Sequence, residues 1–127
     1  MPDSAKPAVV TNWAADALTA ELEDWGPIKV HVAGPVAHLY GRHLGLDPAN
    51  GTETGIWECT PGTWRRGVTQ SESCTFIKGH AIFHADSGEK IDIRPGTAIF
   101  FPANTTGIWE VKETVRKVYM TVEPRKG

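Results

Sequence analysis

The chain of 127 residues is the length of one domain and sets 13 Lys+Arg against 15 Asp+Glu, a formal charge of −2. With 40% hydrophobic and 22% charged residues it has the make-up of a globular protein, and its basic stretches, Arg116-Lys117 and Arg125-Lys126, are too short to track a phosphate backbone, which excludes nucleic acid as a partner. No apolar run reaches the roughly 20 residues of a membrane helix and no basic-then-apolar leader opens the chain, so the expectation is a cytoplasmic protein without a membrane partner.

Thirteen Gly and nine Pro are spread along the sequence, and this punctuation into short pieces is the pattern of an all-β sandwich or barrel. Residues 14–23 are the one passable helix, with Asn12 to cap it and Gly26-Pro27 to end it. Its apolar positions are few, so one or two surface turns are expected. Gly34-Pro35, Gly41, Gly45, Asp47-Pro48 and Asn50-Gly51 break up residues 28–51. Residues 1–51 therefore read as an N-terminal arm, partly irregular, that covers part of a barrel, and residues 52–127 as the barrel, all within one domain.

Strands are expected at 54–59, 63–68, 72–78, 80–85, 90–94, 98–101, 107–111 and 115–122. Asp86-Ser87-Gly88 and Pro95-Gly96 supply turns. Residues 98–101 are apolar at every position, which predicts burial between layers. Eight strands suit a jelly roll. Gly55-Ile56-Trp57-Glu58 recurs as Gly107-Ile108-Trp109-Glu110, so two strands of like design are expected near each other. Coincidence is the other reading of that echo.

Cys59 and Cys74 form no CxxC or Cys/His ladder, which argues against structural zinc and for packing thiols in a reducing compartment. His80 and His84 share one face of their strand with Ile82. The opposite face, Ala81, Phe83 and Ala85, is the more apolar and the expected core face. The histidines then look outward, to solvent or to a partner subunit.

Glu72 with Gly79, and Gly96 with Pro102-Ala103-Asn104, resemble the first and second sequence motifs of the cupins. Within that superfamily the run 55–119 looks like the group of ureidoglycine aminohydrolase-like and ethanolamine-utilisation cupins, on the pieces GIWECTPGTW, E…KG…DSGEK…PGTAIFFPA, GIWEV and ETVRKVY. The resemblance implies a single cupin jelly-roll barrel with the irregular arm at its N-terminus. It does not fix an activity, because one barrel hosts many.

In metal-binding cupins two histidines precede the glutamate and a third comes from the second motif. Here Arg65-Arg66-Gly67-Val68 and Gly107 stand at those positions. Of the usual ligand set only Glu72 is present, and the Glu-x-His pair of the aminohydrolase relatives is missing. No cofactor is expected, since one carboxylate does not hold a transition metal. A divalent metal on unidentified ligands is the alternative.

Parity with position 107 turns Trp109 inward, and Trp57 joins it by analogy. A buried Glu72 needs a cationic partner, for which Arg66, Arg116 and Lys117 are candidates. Along 115–122 the apolar set Val118, Met120 and Val122 looks like the core face, which carries Arg116 inward and Lys117 outward. Two readings of the interior stand side by side: indoles that fill the barrel over a structural ion pair, or an aromatic-walled pocket.

The site read from the sequence is thus Glu72 as polar anchor and candidate acid/base, with Trp57, Arg66, Trp109 and Arg116 as ligand-binding residues. The expected function is metal-independent binding of a small polar or aromatic molecule by a cupin homodimer, with or without catalysis. The face bearing His80, Ile82 and His84 is the expected dimer contact. A metal-dependent aminohydrolase-like enzyme and a non-catalytic sensor or scaffold are the alternatives.

Overall fold

The computed structural model describes Val10 and residues 17–124. Nine strands are present among them: β1 (Glu23–Pro27), β2 (His31–Ala33), β3 (His38–Asp47), β4 (Thr52–Cys59), β5 (Gly62–Gly67), β6 (Ser71–Ala85), β7 (Lys90–Ile93), β8 (Ala98–Phe101) and β9 (Thr106–Val122). All belong to one sheet. Its main path runs β1-β3-β4-β9-β5-β2, while β6 lies along β9 and carries β7 and β8 on its other edge.

The spine is the antiparallel pair β6 and β9, of 15 and 17 residues. Along its first half β9 is flanked by β5 and β6, and along its second by β4 and β6. Register shifts between Phe76 and Ala81 mark bulges where the two long strands bend, and bulges of this kind increase twist and let a sheet curl into a barrel. Gly79 sits at the bend with φ +88°, and a Cβ there would come within 2.0 Å of the Thr114 carbonyl oxygen. Only glycine fits that crossing. The sequence reading took Gly79 and residues 112–114 as breaks between strands; both are bends inside continuous ones.

The all-β reading holds, with three local differences. Within residues 28–51, read as irregular, β2 and β3 form, and Gly41 and Gly45 are absorbed into β3, the latter at a register shift, while Gly34 and Gly51 stay in turns. The helix expected at 14–23 falls partly outside the described residues, with Asn12. Its described part is a turn at residues 17–19, and Glu23 already opens β1. The third difference is β8, which among the described residues pairs only with β6. As an edge strand it buries Phe101 but leaves Phe100 65% exposed, so it does not lie between layers.

Alternation places the core. From β6 come Cys74, Phe76, Ala81 and Phe83; from β9, Trp109, Val111, Val115 and Tyr119; from β7 and β8, Ile93 and Phe101. Burying large apolar side chains of this kind is worth about 1.5–3 kcal/mol each.

Candidate functional site

Strand parity also drives charge into the barrel. On β5 the even positions face inward, so Trp64 and Arg66 are buried while Arg65 is exposed. On β6 Glu72 shares the inner face with Cys74 and Phe76. On β9 the buried odd positions are Gly107, Trp109 and Val111 before the bend and Val115, Lys117 and Tyr119 after it, with Glu113 exposed at the bend itself.

Three strands thus bring one carboxylate and two cations together. Lys117 Nζ lies 2.6 Å from Glu72 Oε2, and Arg66 Nη2 donates to Glu72 Oε1 at 3.2 Å. Arg66 Nη1 also donates to the Thr105 carbonyl at 2.8 Å. Burial alone would raise the Glu72 pKa, but the ammonium of Lys117 and the guanidinium of Arg66 outweigh it and hold the carboxyl below its ordinary value. Glu72 is an ionised acceptor with both oxygens engaged.

Aromatic rings surround this cluster. Lys117 Nζ stands 4.3 Å from the Trp57 ring centroid and Arg66 Cζ 4.3 Å from that of Phe101, distances at which a cation is drawn to the ring face. Trp57, Trp64 and Trp109 lie with centroids 6.0–6.4 Å apart. Trp109 belongs equally to the packed core, at 5.0 Å from Phe83 and 5.9 Å from Phe76. Among the described residues the buried Trp64 Nε1 has no full hydrogen-bond partner, and the Cys59 thiol beside it is a weak acceptor.

These groups line a cavity of about 540 Å³. The three indoles, with that of Trp25, form its wall, Glu72, Arg66 and Lys117 its charged floor, and Ile28, just after β1, and Leu39 of β3 close it further. Tyr119 also lines it; its hydroxyl donates to Glu53 Oε2 at 2.6 Å, and burial together with Glu53 raises its pKa.

Of the site residues read from the sequence, the structure brings together Glu72, Trp57, Arg66 and Trp109. Arg116 is elsewhere. It points to the outer face of β9, where Nε donates to Glu58 at 2.9 Å and Nη1 donates to the carbonyls of Ala17, Leu18 and Ala20 at 2.9, 3.0 and 3.1 Å. Lys117 takes the inward place instead. The reversal has a physical cause: β9 is one strand, so the parity of Trp109 continues to 117, whereas reading 115–122 as a separate strand lets the apolar residues choose the face. Trp64 was legible by the same argument, since an inward Arg66 implies an inward residue 64. The two echoed segments are not paired with each other; Trp57 stands across from Lys117 and Trp109 from Trp64, yet their indoles meet in the cavity wall.

His80 and His84 face outward, opposite the buried Ala81 and Phe83, and bond to Asp92 at 2.8 Å and Glu110 at 3.1 Å.

Residues 46–119, more than half of the chain, match the family model of the EutQ-like cupin domain. The chain belongs to the EutQ-like cupins. Solved structures agree on the fold. This cupin is similar to the EutQ protein of Clostridium difficile, with 21% identity over 76% of this chain and 81% of that one and a TM-score of 0.61. A cupin superfamily protein from Desulfitobacterium hafniense is 14% identical over 68% of this chain and 78% of that one, with a TM-score of 0.57. A protein of unknown function from Pseudomonas syringae pv. tomato is 21% identical over 82% of this chain, with a TM-score of 0.73; this chain spans 45% of that protein's length. A search of curated proteins gave no match.

The residues of this cupin do not fit a transition metal in the barrel. The stretch before Glu72 supplies the Arg66 guanidinium where histidines would stand, and a cation there opposes another cation. Position 107 has no room for a ligand: a Cβ on Gly107 would lie 2.5 Å from the His84 carbonyl oxygen and 2.6 Å from Phe83 Cζ. Among the described residues no three His, Cys, Asp or Glu side chains converge on a metal position.

Proposed function

We propose that this cupin binds a small polar or aromatic molecule in its barrel without a metal ion. The observation that carries the reading is the cavity of about 540 Å³ between the indoles of Trp57, Trp64 and Trp109 and the Glu72–Lys117–Arg66 floor. Its volume is that of an ordinary small-molecule site, and apolar walls with a few convergent polar groups are what such sites present. Glu72 enters as the group that holds Lys117 and Arg66 in place. As an ion-paired carboxylate with a lowered pKa it is a poor proton donor near neutral pH, so the proposed activity is binding rather than acid catalysis.

No helix among the described residues is long and apolar enough to cross a membrane. The proposed setting is the cytoplasm, where two free buried thiols persist. The outward face of β6 with His80, Ile82 and His84 is the proposed contact of a homodimer; light scattering of the wild type and of Ile82→Lys tests it.

A thermal-shift screen against a broad panel of small polar and aromatic metabolites tests the binding reading. A ligand at a hundredfold excess over its Kd stabilises by about 2.7 kcal/mol, a readily measured rise in Tm. A panel that moves Tm nowhere contradicts the reading and leaves a sensor or scaffold barrel in its place.

A further inference from the structure

The floor of the cavity is unbalanced in charge. Arg66, Glu72 and Lys117 are 3%, 5% and 4% exposed, and they carry two positive charges against one negative. Among the described residues, other charged groups around the cavity do not restore the balance. Arg65 and Lys29 stand exposed at its mouth, Arg65 paired with Asp86. Glu53 accepts from the Tyr119 hydroxyl and pairs with His43 at 3.0 Å, where both side chains are partly exposed.

Donors are in excess as well. An ammonium offers three N–H groups and a guanidinium five. Among the described residues Lys117 uses one on Glu72, and Arg66 uses one on Glu72 and one on the Thr105 carbonyl. A buried cation without a compensating anion is far more costly than an exposed one. Such a floor suits an acceptor with negative charge.

We infer that the molecule this cavity takes is a small monocarboxylate, its carboxylate set against Lys117 and its flat or apolar body against the indoles of Trp57 and Trp64. The inference rests on the proposed binding function and names its ligand class. A single negative charge matches the single excess positive one, whereas a phosphate dianion would reverse the imbalance. Ring faces carry the negative side of the aromatic quadrupole, so the anion belongs on the ammonium and the apolar body on the rings. The exposed Lys29 at the mouth draws an anion in.

The test is a calorimetric titration of the full chain at neutral pH with benzoate, benzamide and benzylamine, three probes of like shape and of charge −1, 0 and +1. Benzoate is expected to bind about tenfold or more tighter than benzamide, a difference of about 1.4 kcal/mol, with benzylamine weakest. Lys117→Met removes the excess charge and is expected to abolish the preference for benzoate. Glu72→Gln raises the local charge and is expected to widen it, which keeps the inference testable if Lys117→Met does not fold. Equal binding of benzoate and benzamide, tighter binding of benzylamine, or a narrower preference in Glu72→Gln overturns the anion assignment while the binding reading stands. Absence of binding by all three overturns the inference, and the panel screen then decides the binding reading separately.

Discussion

Lys117 on β9 and Glu72 on β6 meet across two adjacent strands although they are not register partners. Lys117 stands opposite Phe76 and Glu72 opposite Thr121, yet Nζ and Oε2 are 2.6 Å apart. Two long side chains on the same inner face reach toward each other along the strands, and Arg66 joins from β5.

Removing one member of this cluster leaves a buried charge less well compensated, a change that costs about 3–5 kcal/mol when a pair is broken outright. Lys117→Met is expected to cost less, about 1–2 kcal/mol, because it loses one charge-assisted hydrogen bond but leaves Arg66 and Glu72 as a balanced pair. In a double-mutant cycle with Glu72→Gln, urea unfolding should give a coupling energy of about 1–3 kcal/mol. Strict additivity would contradict the contact.

The depressed pKa of Glu72 fixes the sign of its pH dependence. A carboxyl whose folded value lies below its ordinary value of 4.5 contributes stability that is fully present above that value and is lost as pH falls through the folded one. Wild-type stability should therefore drop below pH 4.5 more steeply than that of Glu72→Gln. Parallel acid-unfolding profiles for the two proteins would contradict the assignment.

Burial pushes the thiols of Cys59 and Cys74 up, to about 12 and about 11. Reaction needs the thiolate and access to it. A disulfide-exchange reagent at pH 8 should leave both unmodified in the native protein and titrate two per chain after denaturation. Rapid modification of either in the folded state would show that the barrel opens.

Arg116 ties residues 17–20 to the outer face of β9 through three carbonyls. Arg116→Met should release this segment, making the native chain more sensitive to limited proteolysis before β1, while affinity for any barrel ligand changes by less than about twofold, within 0.5 kcal/mol. Loss of ligand affinity with the segment still protected would return Arg116 to the cavity.

Much of the barrel was legible because period-two alternation and turn residues survive in sequence. Residues 98–101 were bounded correctly, and the outward turn of His80 and His84 came from the apolar face opposite them. What was hidden had two causes. Glycines inside β3 and β6 read as punctuation, though Gly79 is a bulge within a strand whose pairing continues on both sides. An inward lysine contradicts the rule that the apolar set faces the core, and the rule fails at 117 because Glu72 and four aromatic rings lie within reach of its ammonium. The fold was written in the apolar residues. The site was written in the charged ones that share their parity.

The central claim is that a small molecule occupies the space between the indoles and the charged floor. Indole N–H resonances of the 15N-labelled protein, assigned by Trp→Phe substitution and followed during a benzoate titration, test it most directly. The account predicts that the Trp57 and Trp64 signals move in a saturable manner, with Trp109 following through its contact with both. Benzoate binding, seen by calorimetry, that moves none of the three indoles would contradict it.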